Sequence, residues 1–217
     1  MNTRDQIRDA AWELYSARGF EDVSVRDVTQ AAGVNLASVS YHYGGKDGLV
    51  QEVVQRCMNS INRHRLELIE NQIERFGGVE KLSLHAVILA FFRPLVMPEE
   101  CGVPSALILR LAARYLIQPD YQVPAESREL YTETCALFVK ALKLHFPESS
   151  AEEILKQLIY MSGAAIYVRG QQDMEKYAVD DMESSDNDVD REQSLIDLIE
   201  FAIRGFGGDT DEAVAHS

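Results

Sequence analysis

Along most of the chain apolar residues recur every three or four positions, the period of an amphipathic helix, and no stretch alternates strictly enough to mark a strand. Arg4–Arg18 reads as a first helix with Ile7, Ala11, Leu14 and Arg18 on one face, ended by Gly19-Phe20, with Phe20 available to plug a small core. Two short helices are predicted next. Ser24 can cap Val25–Ala32, whose Val25, Val28 and Ala32 share a face, and Gly33 supplies a left-handed residue just past its end. Asn35 can cap Leu36–Tyr43, with Leu36, Val39 and Tyr43 on its inner side. After Gly44-Gly45 a stripe of Leu49, Val50, Val53, Val54, Cys57, Met58 and Ile61 continues through Ile69, Ile73 and Phe76 to Gly77-Gly78. This predicts one long helix from about Lys46.

From Val79 the pattern changes. Val87–Phe92, VILAFF, is apolar on every side, which predicts a helix covered all round. Pro94 and Pro98 end or kink it, Pro104 suits the first turn of a helix running to about Ile117, and Pro119 closes that one. Pro124 opens a helix with Leu130, Tyr131, Thr134, Leu137, Phe138, Ala141 and Leu142, stopped by Pro147. Ser150 and Glu153 form a capping box ahead of a helix with Leu155, Leu158, Ile159, Ser162, Ala165 and Ile166 on one face. Residues 173–192 are dominated by acids and read as a solvated loop, since the acids lack the Gly and terminal Glu spacing of an EF-hand calcium loop. A last helix, about Arg191–Gly205, carries Leu195, Ile196, Ile199, Ala202, Ile203 and then Phe206. The fold class expected is all-α with about nine helices. A three-helix head, residues 1–45, stands on a larger helical body, residues 46–217.

Two short helices joined by a turn containing Gly form the helix-turn-helix pattern, whose second helix can enter a DNA major groove by its N-terminal end. An ordinary core hairpin is the plain alternative. Against it stands the outer face of the second helix, where Asn35, Ala37, Ser38, Ser40, Tyr41 and His42 fall between the buried positions. Ala37, Ser38 and Ser40 can approach base edges, and Tyr41 and His42 suit phosphate oxygens. Lys46 stands where its charge and the free N–H groups of a helix start both favour a phosphate. No Arg or Asn occupies the centre of Leu36–Tyr43, so Arg26 and Asn35 are the further candidates for base contact.

The stretch Thr3–Leu49 resembles the N-terminal domain of TetR-type bacterial transcription regulators. The resemblance rests on Thr3-Arg4, Ile7, Ala10-Ala11, Leu14-Tyr15, Gly19-Phe20, Ser24-Val25, Ala32-Gly33-Val34, Tyr41-His42-Tyr43, Lys46 and Leu49, about a fifth of the chain. Ser40 departs from the pattern, which most often has an aromatic there. The run from Val34 to Lys46 looks most like a branch that includes fatty-acid-responsive regulators. The resemblance implies backbone contacts at Tyr41, His42 and Lys46. It also implies a homodimer formed when the last two major helices of each copy pack into a four-helix bundle.

Composition adds limits. Of 217 residues 26% are charged and 46% apolar, ordinary for a soluble globular chain. No apolar run reaches the length of a membrane span and the N-terminus does not read as a signal peptide, so a cytoplasmic protein with no membrane partner is expected. Cys57, Cys101 and Cys135 are too few and too scattered for a disulfide framework or a zinc site. His42, His64, His85, His145 and His216 show no metal-ligand spacing and no nucleophile is recognisably paired with one, so no metal, cofactor or enzymatic activity is expected. The net charge of −14 argues against indiscriminate nucleic-acid binding. Residues 1–60, however, hold Arg4, Arg8, Arg18, Arg26, Lys46 and Arg56 against eight acids, and nearly all the excess lies beyond them.

For the body, the segment from Val79 to Ile117 is more apolar than a helix pair packed on one side requires. Phe91, Phe92, Leu107, Leu111 and Phe138 are candidate walls of a small-molecule site between helices. Arg110 and Arg114 stand four apart in that segment. A buried guanidinium needs a partner, either an internal acid such as Glu99, Glu100 or Glu133, or the carboxylate or phosphate of an amphipathic ligand. For the dimer face the candidates are Leu158, Ser162, Ala165 and Ile166 with Ile196, Ile199 and Ile203; the plain alternative is that both stripes face the chain's own core. The expected function is a ligand-responsive regulator, more readily a repressor. It would bind double-stranded operator DNA as a homodimer and be released by a small hydrophobic or acyl effector. A helical protein-interaction module without DNA binding and a helical enzyme are the other classes; a gel shift on DNA flanking its own gene separates them.

Overall fold

A computed structural model describes residues 2–115, 125–170 and 191–208. Among them are nine α-helices: α1 Thr3–Arg18, α2 Val25–Ala32, α3 Ala37–Tyr43, α4 Lys46–Phe76, α5 Leu84–Val96, α6 Ser105–Tyr115, α7 Ala125–His145, α8 Ala151–Gly170 and α9 Arg191–Gly205. Short 3-10 turns cover Val79–Lys81 and Pro98–Cys101. The all-α expectation holds. The acidic stretch up to residue 190, the chain beyond 208 and the side chain of Arg114 lie outside the described residues.

The head is assembled by local signals. Asn2 caps α1 by accepting the Asp5 N–H at 2.8 Å. Ser24 and Asp27 close a full capping box at α2, with Asp27 N–H to Ser24 Oγ at 3.2 Å and Ser24 N–H to Asp27 Oδ2 at 2.8 Å. Gly33 ends α2 at φ +65°, a left-handed conformation that suits Gly. The second helix begins one residue later than its pattern suggests. Asn35 Oδ1 accepts the Ala37 N–H at 2.9 Å, and Leu36 serves as the capping residue. Leu36 is consequently 46% exposed rather than part of the core. Inside the head, Ile7, Ala11, Trp12, Tyr15, Phe20, Val23, Val28 and Val39 pack against Leu49, Val50 and Val53 of α4. Phe20 fills the role expected of it, its ring 5.1 Å from that of Tyr15.

α4 is 31 residues long and belongs to both parts, since its first turns close the head core and its later turns enter the body. α5 is the centre of the body. It packs against α4, α7, α8 and α9, as a helix that is apolar on every side must to bury its surface. α7 runs alongside α4 in the same direction. Tyr131 and Cys135 stand beside Arg65, and His145 meets the Leu82 backbone just beyond the end of α4. At the base, Arg93 of α5 pairs with Glu100 at 2.7 Å and Glu192 at 3.0 Å, tying α9 to the turn before α6.

The seven candidate dimer-face residues lie mostly inside the chain. Leu158, Ala165, Ile199 and Ile203 are fully buried within the chain, and Ser162 and Ile166 are half-buried. α8 and α9 both pack on α5. Of the seven residues, Ile196 is the one that is exposed.

Candidate nucleic-acid interface and ligand site

α3 displays the polar face the sequence foresees. Asn35, Ala37, Ser40 and Tyr41 are exposed, Ser38 and His42 are half-buried, and Val39 between them is fully buried. Tyr41 is 85% exposed, and its ring packs edge-on against His42 at 4.9 Å. An aromatic left this bare on a folded head has its hydroxyl free to meet a partner.

The head's charges separate into two kinds. Arg4 pairs with Glu52, Arg8 with Asp5, Arg18 with Asp27 and Arg56 with Asp9. Arg26 and Lys46 make no ion pair among the described residues; Arg26 is exposed and Lys46 donates to the Glu21 carbonyl at 3.4 Å. These two cations are the ones the sequence singled out beside the α3 face.

Two features that fix α3 are not visible in the sequence pattern. The Tyr43 hydroxyl donates to the Arg4 carbonyl at 2.6 Å, joining the end of α3 to the start of α1. Gly48, in the first turn of α4, touches the backbone of α3: a Cβ there would fall on the Tyr43 carbonyl oxygen, far inside normal contact. Only Gly allows α4 to start this close to the recognition helix.

In the body, the candidate wall residues belong to the buried core. Phe91, Phe92, Leu107 and Phe138 are buried and Leu111 nearly so. The Phe91 ring lies 5.0 Å from both Phe92 and Phe138, edge-on to each. The cation beside them is not the expected one. Arg110 points to the head, where its Nη2 donates to the Ala17 carbonyl at 3.0 Å and its Nε to Ser16 at 3.3 Å. It thus meets neither an internal acid nor the aromatic cluster. Glu99 and Glu100, offered as its partners, pair with Arg191 and Arg93 instead. The physical reason lies in helix ends: the last carbonyls of α1 lack intrahelical donors and carry partial negative charge, so a guanidinium is well placed there. Gly19, at φ +90°, leaves room for it, since a Cβ there would stand 2.6 Å from Arg110 Nη1.

Arg110 is therefore a strap between α6 and α1. We expect Arg110→Met to lower Tm by about 2–4 °C, the shift for a loss of about 1 kcal/mol in a chain of this size. Faster amide exchange around residues 16–19 should accompany it, read by hydrogen exchange with mass spectrometry. An unchanged Tm and exchange pattern would show that the strap carries no stability.

The buried cation is Arg65, which lies in the four-residue progression Cys57, Ile61, Arg65, Ile69 on α4. That charge inside an apolar stripe was the available signal. Arg65 is 6% exposed. Its Nε donates to the Phe91 carbonyl at 2.9 Å, its Nη1 to Asn62 Oδ1 at 3.1 Å, and its guanidinium lies 3.8 Å above the Phe91 ring. Burial pushes its pKa down to about 10, so it remains charged at neutral pH. No group of acids, His and Cys able to hold a metal occurs among the described residues, and no described helix is long and apolar enough to cross a membrane.

Comparison with known proteins agrees with this architecture. The chain is 30% identical over 127 residues to a probable HTH-type transcriptional regulator of Bacillus subtilis, YttP, a match covering 56% of this chain and 61% of the relative. It is 30% identical over 56 residues to IcaR of Staphylococcus epidermidis, described as a negative transcriptional regulator of a biofilm operon, covering 26% and 30%. The match to the KstR2 transcriptional repressor of Rhodococcus jostii is 25% identical and covers 36% and 39%. The chain thus spans between about a third and three fifths of these relatives' lengths. Among solved structures, a tetR-family regulatory protein from Rhodococcus superposes with a TM-score of 0.64 at 15% identity, covering 96% of this chain and 99% of that one. The fatty acid degradation regulator FadR from Bacillus halodurans superposes with 0.57 at 17%, covering 93% and 98%. At these identities the likeness shows the fold. The family described as "Bacterial regulatory proteins, tetR family" matches residues 7–53, and "Tetracyclin repressor-like, C-terminal domain" matches residues 89–205. From its helix-turn-helix head through most of its body, the chain belongs to the TetR family of bacterial regulatory proteins.

Proposed function

We propose that the protein is a cytoplasmic, DNA-binding transcriptional repressor that binds a two-fold operator as a homodimer and leaves it when a small hydrophobic or acyl effector enters the body. Residues 1–45 form the DNA-reading domain and residues 46–217 the effector and dimerisation domain. The observation that carries this reading is the outer face of α3. Ala37, Ser38, Ser40, Tyr41 and His42 project from it, and it is flanked by Arg26 and Lys46, which no acid of the described head neutralises. With the head otherwise self-paired, these two cations supply the charge that phosphates would meet. Ala37, Ser38 and Ser40 make base contacts; Tyr41, His42 and Lys46 hold the backbone. The repressor descriptions of related regulators support the sign of regulation.

The dimer in this reading uses the outward sides of α8 and α9, where Ile159, Tyr160, Tyr167, Ile196 and Phe201 lie exposed. The effector would lie against Phe91, Phe92, Leu107, Leu111 and Phe138. α4 begins at the DNA face and reaches that cluster through Arg65, so a change in the body can alter the spacing of two heads. The effector must prefer the altered spacing to release DNA.

Selection of binding sites from a random or promoter library with the purified full chain, followed by anisotropy titration of the recovered sequence, tests the reading. Recovery of a two-fold sequence bound in the nanomolar range is expected; recovery of no enriched sequence overturns it. On that operator, Lys46→Ala is expected to weaken binding across sequences alike and to reduce the salt slope by about one per head. An unchanged slope would exclude Lys46 as a phosphate contact.

A further inference from the structure

Arg65 is an expensive residue to keep where it is. A buried cation is tolerated when an anion compensates it, yet among the described residues no carboxylate pairs with Arg65. The titratable groups described beside it are two thiols and a phenol whose charged forms burial disfavours. Burial holds the Cys101 thiol up at about 11, the Tyr131 hydroxyl up at about 12, and raises Cys135 as well. Its hydrogen-bond and ring contacts among the described residues are with the Asn62 amide and the Phe91 ring and carbonyl. A guanidinium carries five N–H donors, and the bonds described leave from Nε and Nη1. One turn before Tyr131 on the same inward face of α7, Ser127 is completely buried and its hydroxyl has no hydrogen-bond partner. A buried hydroxyl left unmade costs free energy. Arg65 thus has no counter-ion among the described residues and lies on the Phe91 ring of the Phe91–Phe92–Phe138 cluster, while Ser127, a hydroxyl without a partner, stands one turn along α7 from Tyr131, which neighbours Arg65.

We propose that Arg65, aided by Ser127, anchors the acidic head of the effector, a carboxylate or phosphate carried on a hydrocarbon tail that lies against Phe91, Phe92 and Phe138. This rests on the effector reading above and assigns that effector its charge and its anchor. The acid neutralises the guanidinium and accepts the Ser127 hydroxyl, while the edge-on rings receive the tail. Because Arg65 also holds the α5 backbone through the Phe91 carbonyl, an acid at Arg65 acts on α4 and α5 together.

Isothermal titration of the full chain tests this with dodecanoate, dodecyl phosphate and dodecanol, each kept below its aggregation limit, and with the octyl and hexadecyl homologues. At one chain length at least, one of the two anions is expected to bind wild type on the order of tenfold or more tighter than the matched alcohol, the advantage of a charge-assisted bond. Which anion wins identifies the head group. Arg65→Met is expected to bring the acid-to-alcohol ratio near one with alcohol binding kept. Arg65→Lys, which keeps the charge and guards against a folding defect in the first variant, should retain the preference. Ser127→Ala should reduce it several-fold. Equal binding of alcohol and both anions to wild type, or a preference that survives Arg65→Met, overturns the anchor. If alcohols and acids then release operator DNA alike, the effector reading stands without it. If no probe binds or releases DNA, both fall.

Discussion

Gly48→Ala is expected to weaken operator binding by at least about tenfold while the protein remains helical and keeps its assembly state. Two effects oppose each other at this position. Ala is the better helix former by roughly 1 kcal/mol, so on propensity alone the change would stabilise α4. Its Cβ, however, would occupy the place of the Tyr43 carbonyl oxygen, which is backbone and cannot rotate away. Overpacking against movable side chains already costs about 1–3 kcal/mol, so the clash outweighs the propensity gain and α3 must shift relative to α4. The Tyr43 hydroxyl bond to the Arg4 carbonyl is then strained or lost, and with it the seating of α3 on α1. Each tenfold in affinity is about 1.4 kcal/mol, and a dimer carries the fault in both heads. Anisotropy titration on the selected operator and far-UV circular dichroism measure the two quantities. Full affinity with raised thermal stability would mean that propensity governs and that α3 does not depend on this contact.

The sequence was most informative where structure is made by neighbours. Ser24, Gly33 and the Val25–Val28–Ala32 spacing define α2 within one segment, and the Ser150–Glu153 capping box starts α8 by bonds of 2.7 and 3.2 Å between residues three apart. Positions whose meaning comes from a distant element were not legible. Nothing in the helical pattern marks Gly48; its role follows from the Tyr43 carbonyl of α3 lying against it. Arg110 reads as a buried charge in search of an acid. Its actual acceptors are backbone carbonyls more than ninety residues earlier, and backbone leaves no trace in a side-chain pattern. The aromatic cluster was readable because Phe91, Phe92 and Phe138 are large and apolar, whereas Arg65 escaped because a stripe is read by its apolar members. Periodicity finds the inner face of a helix without saying whose core it faces. For that reason the regular stripes of α8 and α9 leave a partner and the chain's own core open alike, and Leu158, Ala165, Ile199 and Ile203 are buried within the chain. The large apolar residues exposed on these helices are Tyr160, Tyr167 and Phe201, which the periodicity leaves outside, and Ile159 and Ile196, which it places on the inner face.

Disrupting that outer surface is expected to give the second large effect. Tyr160→Asp combined with Phe201→Asp should convert the proposed dimer to a monomer and abolish measurable operator binding, with helicity retained. Tyr160 is 70% exposed and Phe201 56%, so neither supports the chain's own core and charging them does little to a monomer. Together with Ile159, Tyr167 and Ile196 they make the outward sides of two helices that pack on each other apolar. Stable interfaces of this kind bury roughly 1,200–2,000 Å² with an apolar centre. Two buried carboxylates per subunit without partners cost more than such an interface can absorb. Gly163 lies on the same outward arc of α8, and a Cβ built on it meets nothing within 4 Å in the chain itself. Gly163→Leu therefore separates the two explanations. Leu is favoured over Gly in a helix, so the monomer gains stability, while the added side chain obstructs a helix packed closely against it. Sedimentation velocity should show both variants as monomers, with Gly163→Leu at least as thermostable per subunit. Because one head alone makes few base contacts, both should lose the operator. Dimers that persist with Asp at both aromatic positions would remove α8 and α9 as the contact and move the partner surface elsewhere on the body.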